Sequence, residues 1–247
     1  MFKKKNWINI IFSLILFLGL WELIDYVFKI QEVILPTPYE ILTSILSNYL
    51  ILINDLSITL LEAFLGFLLG SFFGIVLALL FLLYSGFKNT CEPYVIALQT
   101  MPMLAVAPLL VIWFGSGILS KTIMAALVTF FPVVVNTYKG LSSVDSGLLD
   151  LFSSFNATKM QMLLKLRIPN SLPYVFSAFK TSMTFSIVGA TIAEFTGASA
   201  GIGHLIVNSS YYLDTSLMFA GIFMISLAGI VIFYVIELLE KKIVFWQ

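Results

Sequence analysis

Residues 57–84 read SITLLEAFLGFLLGSFFGIVLALLFLLY and carry one charged side chain, Glu62. The run does not alternate apolar with polar residues, as the strands of a membrane barrel do. It exceeds the about 20 apolar residues that take an α-helix through an about 30 Å hydrocarbon core. It therefore reads as a transmembrane helix long enough to tilt or to project beyond the bilayer. Gly66, Gly70 and Gly74 recur every four residues on one face, a smooth strip on which a second helix can pack closely. Glu62 lies one turn before that strip and reads as a side chain reaching the membrane interface.

The rest of the chain agrees. Of its 247 residues 60% are hydrophobic and 11% charged, with thirteen Lys/Arg against thirteen Asp/Glu. Soluble domains carry about 25% charged residues, so a soluble enzyme is excluded. No basic excess exists to neutralise phosphates, which excludes a nucleic-acid partner. The lone Cys91 forms no internal disulfide, and with the lone His204 it leaves no cluster of soft metal ligands. Cys91 reads as a small packing residue and His204 as an interfacial loop residue. The composition predicts an all-α integral membrane protein with six spans, near 7–28, 57–84, 93–114, 122–138, 173–193 and 216–236.

Orientation follows from Lys and Arg, which stay on the cytoplasmic side. Lys3, Lys4 and Lys5 precede the first span and place it with a cytoplasmic start. Six spans then put Lys88, Lys139, Lys159, Lys165, Arg167, Lys241 and Lys242 inside, with Lys180 close enough to snorkel there. Only Lys29 and Lys121 fall outside. Trp21, Glu22 and Asp25 follow the first apolar run with no small-residue cleavage site, so it reads as a retained span, not a signal peptide.

Between the first two spans, Leu35-Pro36-Thr37-Pro38 favours a turn. Ile41, Leu42, Ile45, Leu46 and Tyr49 then recur at helical spacing, predicting a short amphipathic helix on the outer interface, with a plain linker as the alternative. Pro93, Pro102 and Pro108 interrupt the third span and Pro132 the fourth. The fifth carries Thr181, Ser182, Thr184, Ser186, Thr191 and Glu194, the most polar set at membrane depth. Ionisable residues there default to function. Met101, Met103, Asn136, Thr137, Ser182, Ser186 and Glu194 are the candidate lining of a pathway. For Met101 and Met103 packing is the alternative, and for Glu194 a pairing that fixes the span.

The loop after the fourth span is long but not polar. Leu148, Phe152 and Phe155 form one helical stripe, and Met160, Leu163 and Leu164 begin another. Asn156 tolerates a left-handed backbone and can end the first helix. Thr158 with Gln161 reads as a capping box that starts the second, and Pro169 as its stop. A helix–turn–helix with this much apolar surface is expected to dock into another protein, or else to lie flat on the membrane.

This loop resembles the EAA loop of ABC-importer permeases, on Ser154-Phe155-Asn156-Ala157-Thr158 followed by Lys165-Leu166-Arg167-Ile168-Pro169-Asn170-Ser171-Leu172-Pro173. The likeness extends over nearly the whole chain to permeases of the nitrate/sulfonate/taurine type. It is carried by Leu35-Pro36-Thr37-Pro38, Thr59-Leu60 with Gly66, Gly70 and Gly74, and Pro102 through Pro108. It continues through Trp113-Phe114-Gly115-Ser116-Gly117, Phe131-Pro132 with Asn136, Thr137 and Gly140, Ala193-Glu194 and Gly201-Ile202-Gly203. Two departures stand out. The family's Glu-Ala-Ala triplet falls near Asp150-Leu151-Phe152, and the loop glycine is Asn156.

The resemblance implies a type I importer permease, one domain over 1–247, in a bacterial cytoplasmic (inner) membrane with both termini inside. Two such subunits, a homodimer, would form the pore. A coupling loop at 148–169 would dock on two cytoplasmic ATPases through Phe152, Ser154, Phe155, Asn156, Ala157, Thr158, Met160, Gln161 and Pro169. An extracytoplasmic solute-binding protein would deliver a nitrate, sulfonate, taurine, bicarbonate, pyrimidine or vitamin precursor. ATP and Mg would sit on the partner, because this chain has no G-x-x-x-x-G-K-[ST] phosphate loop and binds no cofactor of its own. An energy-coupling-factor subunit would show small-Arg-Gly coupling signatures, absent here. A secondary transporter would show several buried carboxylates and an internal repeat. A membrane enzyme would show a metal cluster or paired catalytic side chains.

Overall fold

A computed structural model describes residues 4–246, with side chains given for Asn9 and from Phe12 onward. Lys3 lies outside the described residues, as do the side chains of Lys4 and Lys5. The described chain is helical throughout: α1 Lys4–Phe28, α2 Pro38–Ser47, α3 Tyr49–Leu83, α4 Ser85–Thr100, α5 Met103–Phe114, α6 Ile118–Ser142, α7 Ser146–Ser154, α8 Lys159–Met162, α9 Ile168–Glu194, α10 Ile202–Tyr211 and α11 Thr215–Ile243. Among the described residues, four helices are long and apolar enough to cross a membrane, with α8 and α9 joined as one, and a fifth if α4 and α5 count as one broken span. The helix α1 adds 25 residues at the start.

The core is a triangle of α3, α6 and α9. The glycine strip explains the closest edge. A Cβ on Gly66 would stand 2.7 Å from the Thr122 carbonyl oxygen and 2.9 Å from the Ala126 nitrogen. On Gly70 it would stand 2.5 Å from the Ala126 carbonyl oxygen. Only hydrogen fits between α3 and α6 there. Lipid offers a helix as much apolar contact as a neighbouring helix does, so small residues that admit backbone contact decide which faces pair. The partner of α3 is α6, a pairing that the spacing alone left open. α11 packs on α9, α10 and α2, while most of its apolar surface faces outward.

Several expected boundaries move. α3 begins at Tyr49, so Tyr49 opens the long helix and the amphipathic segment ends at Ser47. At about 1.5 Å per residue α3 is about 52 Å long, and its first turn buries Leu52 in a second cluster with Ile41 of α2, Ile202 and Leu205 of α10 and Ala220 of α11. α2 is held by a reciprocal capping box in which the Glu40 amide donates to Thr37 Oγ1 and the Thr37 amide to Glu40 Oε2, at 3.2 and 2.7 Å. The third span is not one helix. α4 and α5 meet at 97°, because Pro102 pushes Met101 to an extended backbone.

Pro169 does not stop the loop helix. α8 runs through a π-turn at Leu163–Arg167 directly into α9, with Pro169 in the first turn of α9. The π-turn bonds the Ile168 amide to the Leu163 carbonyl, and a widened turn absorbs the donor that proline lacks. Lys121 is not in an outer loop either. It lies in the first turn of α6, 2% exposed, and its ammonium donates to the Ser116 carbonyl. Lys180 pairs with Glu240 of α11 at 2.7 Å, joining α9 to α11 near their shared end.

Candidate functional site

Two regions concentrate the chemistry, one at each end of the bundle. The first is the loop between α6 and α9. Asp145 starts α7 by accepting from the amides of Gly147 and Leu148 at 2.8 and 3.3 Å. Asn156 takes φ 54°, the left-handed turn anticipated for it. Thr158 and Gln161 then cap each other, amide to side chain, at 3.2 and 2.8 Å. Between the two short helices Leu151, Phe152, Phe155, Ala157, Gln161 and Lys165 line a cavity of about 410 Å3. Phe155 is 77% exposed, and Leu148, Leu151, Met160 and Leu164 are exposed beside it. Ser154 folds back on the Leu151 carbonyl. The base of the loop is braced: Arg167 donates to the Leu141 carbonyl at 2.8 Å and Asn170 to the Gly140 carbonyl at 3.0 Å. These two side chains satisfy carbonyls left open at the end of α6.

The second region is at the far end, where α9 stops. Glu194, 1% exposed, accepts from Thr59 Oγ1 at 2.7 Å and from the Gly203 amide at 2.6 Å. Thr59 Oγ1 accepts the Ile202 amide at 2.8 Å, and Asp55 the Gly201 amide at 3.2 Å. The first three amides of the α10 entry are thus capped by side chains of α3 and α9. The capping needs glycine at both ends of the Gly-Ile-Gly run. Gly201 sits at φ 106°, and a Cβ on Gly203 would fall 2.5 Å from the Thr191 carbonyl oxygen. Glu62 is 4% exposed, turned inward into the electrostatic field of Glu194 and Lys121. It does not reach the interface. Sequence reasoning missed the inward turn of Glu62, because a carboxylate near a span end looks interfacial until the helix facing it is known. The available signal was a lysine, Lys121, at the start of an apolar run.

The candidate pathway residues do not converge within one chain. Ser182 Oγ donates to the Thr129 carbonyl at 3.3 Å and Thr129 Oγ1 to the Ser182 carbonyl at 3.4 Å, a reciprocal clamp between α9 and α6. Ser186 Oγ donates to the Ala63 carbonyl at 2.5 Å, a clamp to α3. Asn136 donates to the Pro132 carbonyl of its own helix, and Thr137 is buried. Met101, at the α4–α5 bend, is exposed, and Met103 is half-buried. Much of the polarity of α9 is therefore spent on holding three helices together.

The model of the family described as binding-protein-dependent transport system inner membrane component matches residues 70–245. The chain belongs to this family. It is a permease subunit of an ABC importer, a multi-pass membrane protein and not itself an enzyme. A probable ABC transporter permease of Haemophilus influenzae is 31% identical over 92% of this chain and 93% of its own. The formylaminopyrimidine transport permease ThiX of Halalkalibacterium halodurans is 35% identical over 88% and 87%. A putative aliphatic sulfonates transport permease of Bacillus subtilis, SsuC, is 31% identical over 99% and 90%. Among solved structures, an amino acid ABC transporter with histidines overlays at TM-score 0.65, with 17% identity over 83% of this chain and 98% of that one. The MetNI methionine ABC transporter in inward-facing conformations overlays at 0.58, with 16% identity over 85% and 97%. Those two likenesses speak to the permease's fold. Together the comparisons favour the importer permease over an energy-coupling-factor subunit or an ion-driven transporter.

Thr59 is the joint of the far-end cluster. Thr59→Val keeps the shape and removes the hydroxyl, leaving the buried Ile202 amide without an acceptor, at a cost of about 1–3 kcal/mol. Hydrogen exchange of the detergent-solubilised permease is expected to speed up at the amides of 201–205 and to stay unchanged along α3 and α6. Unchanged exchange at 201–205 would contradict the capping role.

Proposed function

We propose that this permease crosses a bacterial inner membrane six times, through α1, α3, the broken α4–α5 pair, α6, α9 and α11, with both ends in the cytoplasm. The whole chain, 1–247, acts as one transport domain. Two copies enclose the pathway, and two cytoplasmic ATPase subunits, which hold ATP and Mg, dock on residues 148–169. A solute-binding protein on the outer side delivers a small polar solute. The names of the ThiX and SsuC relatives, for formylaminopyrimidine and aliphatic sulfonates, support a solute of that kind. The permease contributes no cofactor and no bond-breaking step.

The observation that carries this reading is the braced, apolar helix–turn–helix. Phe152, Phe155 and Met160 form its contact surface, while Ser154, Asn156, Ala157, Thr158 and Gln161 hold its turn. Pro169 sits where the loop passes into α9. Because α8 continues into α9 without a break, a push on the loop moves the membrane helix as a rigid lever. Met101 and Met103, at the α4–α5 bend, and Asn136 are the side chains in the bundle best free to line a pathway formed with a second copy. Ser182, Ser186, Thr137 and Glu194 support that wall from behind.

The test is purification of the permease from its native membrane by a tag, with residues 150–168 intact or replaced by a Gly/Ser linker. An ATPase subunit is expected to accompany the intact chain and to be lost with the linker. Equal recovery in both would overturn the docking assignment, and no ATPase in either would overturn the importer reading.

A further inference from the structure

From Pro93 to Ser120 the chain carries no charged side chain, yet within that stretch it turns through 97° between α4 and α5. The packing on either side fixes the height of the turn. Before it, Val95 is buried with Phe81 and Val134; after it, Ala107 is buried with Met124 and Ala193. Met124 and Val134 bracket the middle of α6, which runs from Ile118 to Ser142. The turn therefore stands about halfway along the bundle, where a bilayer holds no water.

A break at that depth leaves main-chain groups open. The end of α4 has no capping amide, because Pro102 has none to give. The Ala97 carbonyl accepts from Thr100 Oγ1 at 2.9 Å, which leaves the carbonyls of Leu98, Gln99 and Thr100 free as acceptors. No side chain caps the start of α5, so the Met103 and Leu104 amides stand free as donors. Gln99, Thr100, Met101 and Pro102 are all exposed, so the chain's own helices do not cover the turn. Among the described residues the Gln99 amide meets no hydrogen-bond partner. Open backbone and an unpaired amide are not tolerated against lipid; such a break lines a polar cavity or is buried in protein.

We propose that Gln99, with Met101 and the open main-chain groups of the α4–α5 break, is the polar contact of the solute in the middle of the membrane, and that the solute is a neutral nitrogen heterocycle with N–H donors. This rests on the importer reading and on a pathway formed with a second copy at this bend. The chemistry of the break selects the class. Its free carbonyls lie at the negative end of the α4 dipole and its free amides at the positive end of α5, so the two fields offset each other. The site is polar without net charge, and carbonyls facing it repel an anion. Lys121 and Lys180 are no counter-ions for it: the first donates to the Ser116 carbonyl and the second pairs with Glu240. A ring amine and ring nitrogens match acceptors and donors set side by side, and the Met101 thioether, 47% exposed, suits the edge of a flat ring. Of the two kinds of solute weighed above, the break fits the aminopyrimidine and not the sulfonate.

The experiment uses cells holding the complete transporter with its own partners, and two labelled probes, formylaminopyrimidine and ethanesulfonate. Uptake of the pyrimidine is expected, and none of the sulfonate. Gln99→Leu keeps the bulk of the side chain and a good helix former while removing the amide. Its uptake at limiting pyrimidine is expected to fall about tenfold, with ATPase recovery and basal hydrolysis unchanged. Gln99→Cys in a Cys91→Ser background, in nanodiscs open on both faces, is expected to react with a charged thiol reagent, because a thiol in water forms thiolate and one in lipid does not. Native uptake by Gln99→Leu, or an unreactive Gln99→Cys variant, overturns the site. Uptake of the sulfonate, or of neither probe by cells whose permease still carries its ATPase, overturns the solute class and leaves the importer reading in place. A permease that recovers no ATPase fails the importer reading, and this site with it.

Discussion

Phe152→Ala/Phe155→Ala is expected to release the ATPase from the permease and to lower ATP-driven uptake in reconstituted vesicles about a hundredfold, to the background of the assay. Truncating two central aromatic anchors of an interface costs about 3 kcal/mol or more, which is that factor in binding. The rings contribute little to the loop's own stability, because Phe155 is mostly exposed and the turn is held by other groups. Those groups are the Asp145 cap, the left-handed Asn156 and the Thr158–Gln161 box. The thermal midpoint of the isolated permease should therefore stay where it is. Asn156→Gly is the matched control: glycine adopts φ 54° without strain, so uptake and ATPase recovery are expected to be retained. Full ATPase recovery with the double alanine variant would move the docking surface away from the α7–α8 cavity.

The expected loss is large because the loop is stiff. A flexible tether would let the ATPase move without moving the membrane helices. Here α8, the π-turn and α9 are continuous, and Arg167 and Asn170 tie the junction to the end of α6. Further along α9, Ser182 and Ser186 clamp it to α6 and α3, and Glu194 reaches the entry of α10. One helix thus connects the α6–α9 loop to the far-end cluster. A displacement at either end is shared by the other, because packed helices rearrange as units and do not stretch.

Much of this was legible from residue order, and what was not has a common cause. Helix capping is local, so Asn156 and the Thr158–Gln161 box could be read directly. The glycine strip gave a packing face because its spacing is that of one helix. Pairing is not local. Nothing in the sequence near Glu62 says that it shares an electrostatic field with Lys121 and Glu194, or that Thr59 receives an amide from Ile202. The polar residues of α9 looked like a pathway wall for the same reason: a serine that donates to a neighbouring helix and one that faces a channel have the same sequence. Pro169 misled differently. Proline ends an α-helix, but a π-turn ahead of it can carry the chain on.

The helix-packing edge makes the most severe prediction. Gly70→Leu is expected to abolish accumulation of the folded permease, and Gly66→Leu to do the same, read as loss of a monodisperse peak after detergent extraction. At Gly70 the obstacles to a Cβ are the Ala126 carbonyl oxygen at 2.5 Å and the Thr129 Cβ at 2.8 Å; at Gly66 they include the Thr122 carbonyl oxygen. Backbone atoms cannot rotate away as a side chain can, so α3 and α6 must separate. That separation opens the edge of the triangle and strains both clamps that α9 makes to it, Ser186 to Ala63 and Ser182 to Thr129. Overpacking at one site costs about 1–3 kcal/mol where neighbours can shift, and more where they are backbone. Gly19→Ala and Gly86→Ala are the controls, since a Cβ at either meets nothing within 4 Å. Alanine also favours the helix over glycine by about 1 kcal/mol, so neither should lower the yield. Normal yield and uptake from Gly70→Leu would mean that α3 and α6 do not pair along this strip, and the placement of α9 against them would fall with it.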